Sequence, residues 1–244
     1  MQVPKLKTVD KFHALYPVGQ FPSSFAMNLG REIVYVLATR VPISIEGKDW
    51  EKIFADSIGA IWSPSNVGLD DVQCQQMAWS AKTVFNKKPF TVNHVRLISG
   101  RNSLDYSFEV ENVHTEDPNK LGEMVLAIWN GRVTDVRRHF AITRTVVLIK
   151  SETFREFAVF EEETLKFLPE DYYWEWNSNN NLEGYEKTTD KKRFTWQPHG
   201  SQFTVITDVP ANRLKLRIKK PDVLDKESVL GIVRFDSSWV EIVQ

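Results

Sequence analysis

Asp71, Ser80 and Lys82 fall within one short stretch, Val67 to Val84 (VGLDDVQCQQMAWSAKTV), where an acidic pair is followed one hairpin later by a strand containing Ser80-Ala81-Lys82. Metal-dependent cleavage of a phosphodiester needs a carboxylate fixed near a second oxygen ligand. It also needs a cation that orients the attacking water or offsets charge in the transition state. A hairpin that sets Asp71 opposite Ser80 and Lys82 supplies these parts, so hydrolysis of a nucleic acid is the chemistry to which the stretch points. Asp71 is preferred over Asp70 because Asp71-Val72 has the order in which the acid faces a cleft and the next side chain faces the core. The choice between the two acids stays open. The plainer alternative is a polar turn at Asp70 and Asp71 with Lys82 on an exposed strand edge. Against it, Trp79 and Ala81 make the lysine strand read as interior, and an interior lysine requires an anionic partner.

The elements that must hold these groups follow from periodicity. Residues 67–73 and 75–85 read as two strands, the second alternating from Trp79 to Val84, which puts Ser80 and Lys82 on one face and points Ala81 into the core. Before them, Leu29, Ile33, Val36 and Leu37 mark a helix over 27–40 that ends before Pro42. Trp50, Ile53 and Phe54 mark a second over 48–58, with Glu51 in its first turn and Gly59 as its stop. The first 25 residues, with Pro4, Pro17 and Pro22, read as an irregular arm. After the lysine strand, His94 to Ser99 reads as a third strand broken by Gly100, and Asp105 to Val110 as extended. Asn119 to Arg138 is helical and leads into strands at Thr143 to Ile149 and Phe157 to Phe160, so a crossover and a parallel strand pair are expected. From Tyr172 onward the pattern changes to short aromatic strands at 174–176, 194–196, 203–207 and 214–218, joined by Asn- and Gly-rich turns.

Helix, acidic strand and lysine strand in this order resemble the PD-(D/E)XK nuclease superfamily, which includes most type II restriction endonucleases; the resemblance covers residues 47 to 160. It implies an α/β fold with a restriction-endonuclease-like central mixed β-sheet flanked by helices, to which this chain adds a β-rich C-terminal portion. The family's first-helix glutamate looks like Glu51, its strand acid like Asp71 and its catalytic lysine like Lys82. Ser80 stands where the family most often has Glu or Asp. Some restriction enzymes of the superfamily carry Ser there and recruit a carboxylate from a helix elsewhere; Glu51 is the first candidate for that replacement, with Glu109, Glu111 and Glu123 as substitutes. The resemblance implies Mg²⁺ held by Asp71 and Glu51, Lys82 acting on the water or the developing charge, and Ser80 as a hydrogen-bonding support.

Composition narrows the rest. A chain of 244 residues with 42% apolar residues can build a substantial core, and we expect a catalytic core over 1–168, including the N-terminal arm, with a β-rich portion over 169–244, either as a separate unit or as part of the same domain. The single cysteine, the lack of an apolar run long enough to cross a bilayer and the lack of a leader point to a soluble, cytoplasmic protein of prokaryotic type with no membrane partner. The five histidines are dispersed, which excludes a zinc box, and the phosphate-loop and dinucleotide-loop patterns are missing. A net charge of −1 withholds the footprint of a uniformly basic nucleic-acid binder, so contacts with double-stranded DNA must come from local groups. The candidates are Arg96, Arg101, Asn102 and Ser103 in a glycine-flanked loop, Arg137 and Arg138 at a helix end, and Trp196, Gln197, His199 and Gln202 in a compact turn-like segment; Trp174 and Trp176 are further stacking candidates. The function expected is that of a sequence-specific double-stranded DNA endonuclease acting as a homodimer on a symmetric target. The alternatives are a repair or junction-resolving nuclease, a catalytically inactive DNA-binding module, and an interaction protein that uses its aromatic hairpins.

Overall fold

The computed structural model describes residues 12–64 and 68–243; Pro4 of the expected arm and Val67 at the start of the expected acidic strand lie outside them. Helix α1, Phe25–Thr39, buries Phe25, Leu29, Ile33, Val36 and Leu37, the stripe its spacing demands. Helix α2, Gly47–Ile58, is closed at its start by a capping box in which Glu46 N donates to Asp49 Oδ2 at 2.7 Å. It ends at Gly59, whose φ of 69° suits a residue without Cβ. It buries Trp50, Ile53 and Phe54.

Strands β1 (Ile61–Trp62), β2 (Val72–Cys74) and β3 (Met77–Phe85) form an antiparallel meander. The acidic strand is therefore shorter than its pattern suggested. Strand β4, His94–Arg101, runs through Gly100 and leaves this meander. Residues expected to continue extended instead form helix α3, Leu104–Phe108, because the Ser103 hydroxyl accepts from Tyr106 N at 3.3 Å and Glu109 closes the turn in the left-handed region. Helix α4, Pro118–His139, starts on the Asp117 cap and carries the chain across to β5, Ile142–Lys150, which lies parallel to β3. Strand β6, Glu156–Glu163, returns antiparallel to β5.

The later strands β7 (Tyr172–Trp176), β8 (Leu182–Glu186), β9 (Lys192–Gln197) and β10 (Gln202–Asp208) build an antiparallel sheet whose far edge is β4, in the order β4-β10-β9-β8-β7. Residues on both sides of position 168 thus share one sheet. Strand β11, Leu214–Arg217, goes back to the first sheet and completes the order β1-β2-β3-β5-β6-β11; a final helix α5, Lys226–Ile232, is exposed. The chain is a mixed α/β fold of two sheets and five helices among the described residues, and no helix among them is long and apolar enough to cross a membrane.

Three apolar clusters make the layers. Helices α1 and α2 cover one face of the first sheet through Trp50, Phe54, Trp79, Val146 and Phe157. On its other face, Val147, Ile149 and Phe160 meet Val95 and Leu97 of β4. Helix α4 is sandwiched against the second sheet through Val125, Trp129, Trp174, Phe194 and Phe203. Burial on both faces explains the near-continuous apolar run of β5. The close seat of α4 depends on Gly122, because a Cβ there would stand 2.2 Å from the Trp174 ring.

A hydrogen-bonded charged pair lies inside this structure. Arg144 Nη1 donates to Glu161 Oε1 at 2.8 Å, with both side chains almost fully buried. Glu161 also accepts from Gly19 N at 3.0 Å, Tyr16 Oη at 3.2 Å and Trp79 Nε1 at 3.2 Å, while Arg144 Nη2 donates to Tyr16 O at 2.9 Å. Arg144 thereby ties residues 16–19 to the sheet and is no part of a basic surface. Removing one partner of such a pair leaves an uncompensated buried charge. Arg144→Met is therefore expected to lower stability by about 3 kcal/mol in denaturant unfolding, and the double variant Arg144→Met, Glu161→Gln to recover part of that loss. A single variant as stable as the wild type would rule out this pair as a structural tie.

Candidate active site

Strand β3 sorts its side chains by alternation. Trp79 and Ala81 enter the core under α2, and Ser80 and Lys82 face the opposite way, toward the space between the sheets. Both of the latter reach the same carbonyl: Ser80 Oγ donates to Gly68 O at 2.7 Å and Lys82 Nζ to Gly68 O at 3.4 Å. Strand β2 pairs with β3 only as far as Val72 opposite Trp79, which leaves the amide of Ala81 on an open edge. The Asp71 carboxylate takes that place, its Oδ2 accepting from Ala81 N at 3.3 Å.

Asp71 is 4% exposed. Loss of water pushes its carboxyl up to about 6; the Lys82 ammonium and the Ala81 amide pull it down, whereas the charges of Glu51 and Asp70 push it further up. Burial lowers the Lys82 ammonium from its ordinary range, Asp71 and Glu51 hold it up, and the Arg132 guanidinium depresses it. Asp71 and Lys82 therefore act on each other, with the charge of Glu51 bearing on both and that of Arg132 on Lys82. Glu51, on α2, is further fixed by Trp62 Nε1, which donates to its Oε2 at 3.0 Å. The three substitute acids, Glu109, Glu111 and Glu123, are exposed.

Arg132 is the residue that sequence reasoning missed. It follows Trp129 by three positions and Val125 by seven, on the inward stripe of α4, and a cation on an otherwise apolar stripe was the available signal. Its Nη1 donates to Ser99 O and to Asn102 Oδ1, each at 3.1 Å. The guanidinium lies over Gly100, where φ is 121° and a Cβ would be 2.2 Å from Nη2, so the glycine that was read as a strand breaker makes room for a charge.

Among the described residues no group of three or more His, Cys, Asp or Glu side chains forms a metal cluster. Even so, Asp70 Oδ1 is buried with no hydrogen-bond partner, and the residue that follows it in sequence is the desolvated Asp71. Carboxylate oxygens are the donor type a hard divalent cation of the Mg²⁺ kind takes, through one or two carboxylates with several waters kept.

The expected DNA contacts divide. Arg96 and Arg101 are exposed on β4, and His199 is exposed at the β9–β10 turn. Arg101, Gln202 and Gln197 occupy successive rungs across β4, β10 and β9, which brings them together at one end of the second sheet. Asn102 corrects the expectation: it is fully buried, Nδ2 donates to Val125 O at 2.8 Å, and its backbone amide donates to Ser201 O at 2.7 Å, so it clips the β9–β10 turn to α4. Ser103 serves as the α3 cap. Trp196 is 1% exposed and donates from Nε1 to Asn102 O at 2.9 Å, and Trp174 is buried under α4; neither ring is open for stacking. Trp176 packs beside His114. Arg137 gives its Nη2 to Thr164 O at 2.7 Å, and Arg138 pairs with Asp135 at 3.2 Å on the surface.

No protein-family model, no curated protein and no solved structure matches this chain.

The mutual influence of Asp71 and Lys82 can be measured directly. A carboxyl-carbon NMR titration should give Asp71 a midpoint near 6, and Lys82→Met should move it upward, since the ammonium favours the ionised carboxylate. An unchanged midpoint in the variant would separate the two groups.

Proposed function

We propose that this chain is a divalent-metal-dependent endonuclease that cuts double-stranded DNA at specific sequences, as type II restriction enzymes do. The observation that carries the reading is the confrontation of a desolvated carboxyl, Asp71, with a desolvated ammonium, Lys82, on neighbouring segments of a doubly buried sheet. Strongly perturbed, mutually dependent charges beside an opening are where proton and phosphoryl chemistry is done.

In this reading Asp71, with Asp70 or Glu51, would hold Mg²⁺, which supplies Lewis acidity at the phosphoryl oxygen when bound. Lys82 supplies a positive charge that needs no reorganisation: it orients the incoming water and offsets the negative charge that develops on the phosphorus oxygens. Arg132 adds a second cation, anchored through Ser99 and Asn102 to the sheet that carries the exposed Arg101 and His199 and the half-buried Gln197 and Gln202. That row is the candidate for contact with phosphates and base edges. Two copies, one for each strand of a palindromic site, complete the proposal.

A second reading, a DNA-binding module without catalysis, is favoured by one feature: the Ser80 hydroxyl, in the position of the missing acid, is spent on Gly68 O. Incubation with long phage DNA and Mg²⁺ distinguishes the two. The wild type is expected to give a fixed set of fragments, and Lys82→Ala to bind but cut at least about a hundredfold more slowly. Equal cutting by both proteins would remove Lys82 from the mechanism, and binding without cutting by the wild type would establish the second reading.

The pH dependence follows from Asp71. Its carboxylate form is needed to hold the metal, and in the metal-free site it is populated only as pH rises through about 6, so at subsaturating Mg²⁺, where protons compete with the metal, the cleavage rate should climb by about tenfold per unit below that value and level off above it. A rate that stays flat through this range would exclude Asp71 ionisation from the rate-determining step.

A further inference from the structure

Ser80 and Lys82 also form one wall of a cavity of about 250 Å³ between the two sheets. Pockets for drug-sized ligands are roughly 300–1,000 Å³, so this one suits a single planar ring system. Its far end is aromatic: Phe167 and Tyr172 meet edge to face with ring centroids 6.2 Å apart. Its polar lining sets the carboxylates of Glu162, Glu163 and Glu186 beside the cations Lys82 and Arg193. Glu162 projects into it from β6 and is held in place by Thr207 Oγ1, which donates to Oε2 at 2.6 Å, while loss of water raises the carboxyl above its ordinary range. An aromatic slot with a fixed carboxylate selects a flat heterocycle that bears an amine. Lys82, shared with the proposed cleavage site, puts this cavity beside the place assigned above to the scissile phosphate.

We propose that this cavity receives a nucleobase rotated out of the duplex next to the phosphate at Lys82, with Glu162 accepting a hydrogen bond from the exocyclic amine of cytosine or adenine. The inference rests on the endonuclease reading and adds to it a base-specific pocket. Extrusion of a base costs stacking and pairing energy, and the cost is least for a mismatched base, which gives a measurement independent of the unknown recognition sequence.

The test measures binding of the full chain, with Ca²⁺ in place of Mg²⁺, to three duplexes that differ at one position: fully paired, one mismatched cytosine, and one mismatched thymine. The wild type is expected to bind the cytosine mismatch roughly tenfold more tightly than the paired duplex, and the thymine mismatch only weakly better, as one hydrogen bond to a charged acceptor dictates. Val205→Phe, which fills the cavity from β10, should abolish the mismatch preference and leave affinity for the paired duplex unchanged. Glu162→Gln, nearly isosteric, should lose the discrimination between cytosine and thymine even if the bulkier variant fails to fold. Equal wild-type binding to all three duplexes, or a cytosine preference that survives Glu162→Gln, would overturn the pocket while phage-DNA cleavage still upheld the nuclease. Binding to none of the duplexes and no cleavage would overturn both.

Discussion

The site depends on a strand that is covered on both faces. Strand β3 runs between β2 and β5, with Trp79 and Ala81 under the helices and Ser80 and Lys82 turned toward the second sheet. A lysine on an edge strand keeps its ammonium in water. Here the ammonium is drawn from water and must be compensated by Asp71, which is itself desolvated and has only one short-range donor, the Ala81 amide. Each charge offsets part of the other's desolvation through space, and the short β2 leaves the Ala81 amide open to Asp71.

A second buried charge pair in the same sheet gives the contrast. Glu161 has donors from Arg144, Gly19, Tyr16 and Trp79, a set that satisfies it and locks the N-terminal residues against the sheet. A carboxylate with this many donors is held rigidly. At Asp70, Asp71 and Lys82 the supply falls short: one carboxylate oxygen has no partner, and the ammonium reaches Gly68 O only at 3.4 Å. Unspent capacity on a buried carboxylate is what a cation can use, and it separates Asp70 from Glu161, although Arg144 Nε is also buried without a partner.

Much of this was legible locally. The helices at 25–39, 47–58 and 118–139 follow apolar stripes, a capping box and a proline start, and the strand at 77–85 follows its alternation, so the common face of Ser80 and Lys82 could be read directly. Short-range signals also misled. A serine cap turned 104–108 into a helix where strand residues had suggested an extended chain. Asn102 and Trp196 have the composition of nucleic-acid contacts, but their polar atoms are consumed by Val125 O and by Asn102 O, partners distant in sequence. Arg132 was hidden because a helix stripe does not say what its one cation faces.

The sequence by itself determined the periods, the stops and the pairing of an acid segment with a lysine strand, because φ/ψ preference, capping and alternation act over a few residues. The tertiary structure alone decided that β4 joins β10 instead of the meander, that Glu51 is the acid within reach while Glu109, Glu111 and Glu123 are exposed, and that Arg132 shares the site. Desolvation and charge coupling depend on everything packed around a group, and that surrounding is assembled from residues that only the folded chain brings together.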